Sequence, residues 1–65
     1  MKNYINQTVS NPDVSKESGN KIGKVIDQYP LTPIPDGEII PYGFQIQFRD
    51  YTENWTLKRL IPNLN

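Results

Sequence analysis

Bulky apolar side chains alternate strictly with small or polar ones between positions 42 and 49. The apolar set is Tyr42, Phe44, Ile46 and Phe48, and the set between them is Gly43, Gln45, Gln47 and Arg49. Successive side chains of a β-strand point to opposite faces of the sheet, whereas a helix would group every third or fourth residue. The alternation therefore predicts a strand with one buried face.

The neighbouring segments predict further strands and a short helical turn. Residues 20–29 are rich in β-branched side chains and predict another strand, in which Gly23 marks a close backbone approach or a bulge. Turn-forming residues at 49–54 precede a β-prone run at 55–57, which predicts a hairpin. Residues 58–62 predict a turn of helix leading into a last extended piece, because Pro62 cannot continue a helix.

Two loops are predicted, one on each side of residues 20–29. Residues 10–20 contain few side chains able to bury area, so they predict a long loop or a mobile arm. A weak alternation at residues 5–9 predicts a first strand before that loop. Residues 30–41 contain four prolines, each of which removes a ladder donor, and they predict a second loop.

Two short motifs resemble a known family. Gly23-Lys24-Val25 and the run from Ile46 to Asp50 are similar to the G-x-V and V-x-F-x-D strands of small SH3-like barrels of the KOW, Tudor and photosystem-accessory type. The resemblance implies an all-β fold of four to five short strands with one 3-10 turn. It also implies a single domain over residues 1–65, with the barrel core at 20–63 and a first strand plus an arm at 1–20. The predicted core consists of Ile22, Val25, Phe44, Ile46, Phe48, Trp55, Leu57 and Leu60.

Cysteine and histidine are both missing from the 65 residues. Zinc sites and most nucleophilic catalysis depend on these residue types, and the chain has no phosphate loop and no EF-hand spacing. We therefore expect a protein that is not an enzyme and that has no metal site and no cofactor. The sequence begins without a secretory signal pattern and has no apolar run of the roughly 20 residues that span a membrane, which predicts a soluble cytoplasmic protein.

Four aromatic residues flank the predicted loops and form the leading candidate binding surface. They are Tyr29, Tyr42, Tyr51 and Trp55, joined by the apolar loop residues Ile39 and Ile40. Tyrosine and tryptophan are frequent anchors in protein interfaces, although Tyr42 and Trp55 could equally belong to the core. The leading hypothesis is a non-enzymatic protein-binding module, an adaptor or inhibitor that docks on a larger partner. Compact Asn- and Lys-containing sequences of this kind are typical of phage and mobile-element accessory proteins.

Two other functions stay open at the level of sequence. Five cations could converge on one face and bind nucleic acid, namely Lys21, Lys24, Arg49, Lys58 and Arg59. Seven basic residues balance seven acidic ones, so the chain lacks a general basic bias, and an ordinary solvated surface is the favoured explanation of these cations. The third hypothesis is a structural small subunit or a homodimer that buries Ile39 and Ile40 against a neighbour.

Overall fold

A four-stranded antiparallel sheet forms most of the molecule. The structure is a computed structural model, and it describes residues 2–30 and 41–65. The strands are β1 (Thr8–Ser10), β2 (Ile22–Pro30), β3 (Pro41–Gln47) and β4 (Thr52–Thr56), followed by the helical turn α1 (Leu57–Leu60) and a 3-10 turn (Ile61–Asn63). The strand order in the sheet is the chain order, β1-β2-β3-β4. The predicted all-β class is confirmed in this broad sense.

The hairpin of β3 and β4 confirms the prediction from the alternating segment. Its register places Phe44 opposite Trp55, and both side chains lie in the core. The prediction that the turn extends to residue 54 is wrong, because β4 already begins at Thr52. The chain reverses within two residues, and the Phe48 N–H donates to the Tyr51 carbonyl at 2.8 Å. Thr52 and Asn54 face outward on this edge strand, which explains why the composition of the segment resembles a loop.

Gly23 lets the core approach the backbone of β2, as predicted. A Cβ atom at this position would lie 2.5 Å from Cε1 of Phe48, so no side chain fits there. The predicted core position of Ile22 is wrong, since its side chain is 54% exposed. Gly23 and Val25 point inward, and the strand period of two therefore turns Ile22 outward.

The N-terminal segment contributes less strand than predicted. The expected strand at residues 5–9 is instead a turn followed by the three residues of β1. Asn6 adopts a positive φ of 76°, a conformation that Asn tolerates better than most residues, and this ends any strand there. The following residues 11–21 form a loop, at the base of which the fully buried Asn11 accepts from Asp13 N–H and donates to Tyr51 Oη.

The C-terminal residues return to the first strand. Thr56 caps α1 by accepting a hydrogen bond from the Arg59 N–H. The prediction that Pro62 ends the helical segment is wrong, because Pro62 lies at the start of the 3-10 turn. The backbone N–H groups at the start of a helix have no partner within it, so proline, which lacks this group, is tolerated there. Leu64 then forms an antiparallel bridge to Val9.

The core lies on one face of the sheet. Its members are Tyr4, Val9, Val25, Phe44, Ile46, Phe48, Trp55 and Leu60, with Leu57 and Leu64 packed against it. Tyr4 and Val9 were not predicted, and Leu57 is only partly buried. No helix in the described part of the chain is long and apolar enough to cross a membrane. The predicted second loop falls largely on residues 31–40, outside the described residues.

Candidate protein-docking face

The outward face of β2 carries three large apolar side chains. Ile22, Ile26 and Tyr29 are 54%, 42% and 40% exposed, and we call them the β2 outer row. Single exposed apolar residues are common on protein surfaces and need no explanation. Three of them along one side of a central strand form a line that a partner could cover.

A β-bulge gives the outer row its spacing. The β2–β3 register shifts between Val25 and Asp27, so Ile26 is an extra residue in the ladder. Both Ile26 and Asp27 are exposed, and Gln28 then points inward. In a regular ladder without the bulge, Ile26 would point outward and the alternation would turn Asp27 toward the core, where such a charge would be costly to bury. The bulge therefore keeps two outward positions together in the middle of β2.

Tyr29 is held against the sheet at one end of the outer row. It pairs with Gly43 on β3, and its Cδ2 atom would lie 3.3 Å from a Cβ built on that glycine. The ring thus covers the bare backbone of Gly43 while part of it stays exposed. An aromatic ring fixed in this way loses little conformational entropy on binding, which suits an anchor residue.

The N-terminal segment is hydrogen-bonded to β2 next to the bulge. The Asn6 N–H donates to the Val25 carbonyl at 2.8 Å. The preceding Ile5 is 37% exposed. Lys24 lies between Ile22 and Ile26 along β2, is exposed, and makes no ion pair among the residues described.

A buried polar side chain, Gln28, fixes the C-terminal part of β2. Gln28 accepts from the Tyr4 N–H at 2.8 Å, and its amide donates to the Lys2 carbonyl at 3.0 Å. Both functions of the amide are thereby satisfied inside the structure. Gln28 therefore ties the N-terminal segment to β2.

Two other predicted aromatic anchors, Tyr51 and Trp55, contact residues of the fold itself. Tyr51 is 37% exposed, but its Oη accepts from Asn11 and its ring centroid lies 5.3 Å from that of Phe48. Trp55 is 2% exposed, and the Arg59 guanidinium lies 4.8 Å from its ring centroid. Of the predicted aromatic residues with described side chains, Tyr29 is therefore the one placed on the outer row. The side chains of Tyr42, Ile39 and Ile40 lie outside the described part of the structure.

The five cations of the nucleic-acid hypothesis do not share one free surface. Lys21 donates to the carbonyls of Asn11 and Val14, and thus closes the base of the 11–21 loop. Arg59 pairs with Asp13 and stacks on Trp55.

The remaining three cations lie on different elements of the fold. The Arg49 side chain lies against Gly19, where an added Cβ would be 2.6 Å from Nη1. Lys24 and Lys58 are exposed, on β2 and α1 respectively. A phosphate backbone would need several free cations together, so this arrangement favours the solvated-surface interpretation.

No group of three or more metal-binding side chains occurs within residues 2–30 and 41–65. The outward face of β2 offers apolar contact together with one lysine amine, Lys24, and one carboxylate, Asp27.

Sequence reasoning missed Ile26 as a surface residue and misplaced Ile22. A signal was available, because Ile22, Lys24 and Ile26 alternate with Gly23 and Val25. A lysine in one set and a glycine beside a valine in the other indicate which set faces water.

A scan against protein-family models gave no match to this chain, and neither the curated proteins nor the solved structures searched contained a significant match.

Proposed function

We propose that this protein is a non-enzymatic protein-binding module, an adaptor or inhibitor that docks on a larger protein through the β2 outer row. The observation that carries the proposal is the exposure of Ile22, Ile26 and Tyr29 along one side of a central strand. Covering such side chains removes apolar surface from water, which is the main favourable term in protein association. The lysine and the aspartate on the same strand leave the face without a strong net charge.

An SH3-like barrel is the architecture that we propose for the module. The strand order supports this fold, as does the helical segment that precedes the last paired residue. The bridge between Val9 and Leu64 supports it further, because it brings the two ends of the chain together. The central position of β2 in such a fold makes its outward face a firm platform for a partner.

The proposal predicts that polar substitutions on the outer row weaken docking without unfolding the protein. The test variant is Ile22→Thr with Ile26→Thr, since threonine keeps the β-branched shape that suits a strand. Burying half of an isoleucine side chain contributes about 1 kcal/mol, so losing two such contacts should weaken binding by roughly tenfold or more. The matched control is Ile61→Thr, because Ile61 is 49% exposed but lies in the 3-10 turn.

Cross-linking through Lys24 provides a direct measurement of docking on the outer row. A lysine-reactive cross-linker, applied to the full chain in a cell extract, should join Lys24 to the docked protein, because Lys24 lies between Ile22 and Ile26. The quantity measured is the yield of Lys24 cross-links in the wild type, the double variant and the Ile61→Thr control. We expect loss in the double variant alone. Equal yields in all three proteins, or a partner cross-linked only through Lys58, would contradict docking on the outer row.

A further inference from the structure

The two edges of the sheet differ in whether another part of the chain covers them. Leu64 bridges Val9, and the Asn65 N–H donates to the Thr8 carbonyl at 3.0 Å, so the C-terminus covers the outer edge of β1. β4 forms the opposite edge. Within the described residues, no backbone group pairs with the outer side of β4. An uncovered edge is a ready template for another strand.

The pairing pattern identifies which backbone groups are open. Phe48 and Tyr51 form a hydrogen-bonded pair at the hairpin end. Hydrogen-bonded and non-hydrogen-bonded pairs alternate along an antiparallel ladder. The backbone N–H and C=O groups of Glu53 and Trp55 therefore point toward β3. Those of Thr52, Asn54 and Thr56 point away from β3, at the open edge of the sheet. These three residues are all exposed: Thr52, Asn54 and Thr56.

The edge has only part of the usual protection. Natural edge strands are commonly blocked by lysine, by proline, by a bulge or by a charge that points inward. β4 has the sequence Thr-Glu-Asn-Trp-Thr, and its register with β3 is regular. Its one protective feature is Glu53, which lies on the inner side of the sheet because it pairs with the buried Ile46. Among the described residues, the backbone groups of β4 that point away from β3 have no partner and can accept a strand.

We propose that the occupant of this edge is β4 of a second copy of the chain, paired antiparallel with Asn54 opposite Asn54. In this register Thr52 faces the second copy's Thr56, and threonine pairs are favourable across strands. Glu53 faces the second copy's Trp55, so the two carboxylates are offset from each other. A register centred on Glu53 would place the like charges directly opposite, which destabilises a strand pair.

The charge of the whole chain permits this contact. Seven basic and seven acidic residues give a formal net charge of zero, so two copies approach without general repulsion. The start of α1 then lies toward the second copy's β3–β4 turn, where Asp50 already pairs with Arg49 at 3.9 Å, so this turn adds no net charge to the contact. The pairing is self-complementary in backbone hydrogen bonding.

The proposed dimer contact buries little surface, so its affinity should be low. A five-residue edge buries far less than the roughly 1,600 Å² of a standard protein interface, so the dimer should be weak and reversible. It forms at the opposite edge from β1 and leaves the β2 outer row uncovered. A dimer would therefore present two docking faces, and it does not depend on the proposed function.

The experiment is sedimentation velocity on the full chain between about 0.05 and 1 mM, where mass action reveals a weak dimer. We expect the average mass to rise with concentration from the monomer value of 7.5 kDa. Asn54→Lys and Asn54→Asp should each raise the dissociation constant about fivefold, because identical charges would face each other. An equimolar mixture of the two variants should dimerise again, because Lys then faces Asp.

The matched control is Gln45→Lys, which adds the same charge one strand inside the edge, opposite Asn54 on β3. We expect it to dimerise like the wild type, with circular dichroism confirming that all variants are folded. A wild type that stays monomeric at every concentration would overturn the proposal. So would Asn54 variants that dimerise normally, or a mixture that fails to recover. The Ile22→Thr and Ile26→Thr variant should dimerise like the wild type, which keeps failure of this proposal distinct from failure of docking.

Discussion

Replacing Gly23 by alanine should destabilise the protein through overlap with the core. The added Cβ would lie 2.5 Å from Cε1 of Phe48 and 2.7 Å from Cγ2 of Ile46. Both neighbours are almost completely buried, so neither can move aside into solvent. Overpacking of this kind typically costs about 1–3 kcal/mol. For a domain of this size, each kcal/mol lowers the melting temperature by about 4–8 °C.

Gly19→Ala is the matched control for this prediction. A Cβ there would lie 2.6 Å from Nη1 and 2.7 Å from Cδ of Arg49. The Arg49 side chain is 73% exposed and flexible, so it can swing away from the added methyl group. Both variants reduce the backbone freedom of the unfolded chain in the same way, which leaves core overlap as the difference between them.

The assay is urea unfolding at 25 °C, followed by the fluorescence of the single tryptophan and by circular dichroism. We expect Gly23→Ala to unfold at a clearly lower midpoint than Gly19→Ala, by an amount equivalent to about 1–3 kcal/mol. Equal midpoints for the two variants would refute the reasoning, because they would mean that the core tolerates a side chain at position 23.

Two further predictions concern the core and the base of the 11–21 loop. Phe44→Ala should lower the free energy of unfolding by about 3–5 kcal/mol, which approaches the whole stability of a small domain, and a cooperative thermal transition at the wild-type temperature would contradict this. Asn11→Ala should cost about 1–3 kcal/mol and Tyr51→Phe about 0.5–1.5 kcal/mol, since the first change removes both side-chain hydrogen bonds of a fully buried residue and the second removes one hydrogen bond. A double-mutant cycle by urea unfolding should show coupling between them, and purely additive effects would mean that the bond between Asn11 and Tyr51 contributes nothing.

The sequence predicted the parts of the fold that depend on local periodicity. The alternation through Phe44 and Ile46 located β3 and its buried face, and Gly23 was correctly interpreted as a close approach. The end of the turn and the face of Ile22 were wrong, because composition was weighted above the period of two. A size-based preference for burial suggested that Ile22 joins the core, whereas its position beside an inward glycine turns it to solvent.

Other features could not be read from the sequence because their partners are distant along the chain. Asn11 meets Tyr51 across 40 residues, and Gln28 holds the Tyr4 N–H across 24 residues. Polar residues are usually exposed, and only the tertiary structure shows which of them find hydrogen-bond partners inside. The bulge at Ile26 has the same origin, since it depends on the register with β3.

The outward positions of the different strands show why the β2 outer row stands apart. On β1 and β4 the sequence places threonine at exposed outward positions, namely Thr8, Thr52 and Thr56. Threonine satisfies a strand with its β-branched shape and keeps a hydroxyl in water, so it adds little apolar area to the face of the sheet. On β2 the outward positions hold Lys24 and Asp27 but also Ile22, Ile26 and Tyr29, although threonine would suit the strand equally well. Stability of the isolated chain does not explain that difference, whereas the proposed docking would, and the Ile22→Thr and Ile26→Thr variant in effect gives β2 the surface of its neighbours. Its expected behaviour is therefore unchanged folding together with lost binding.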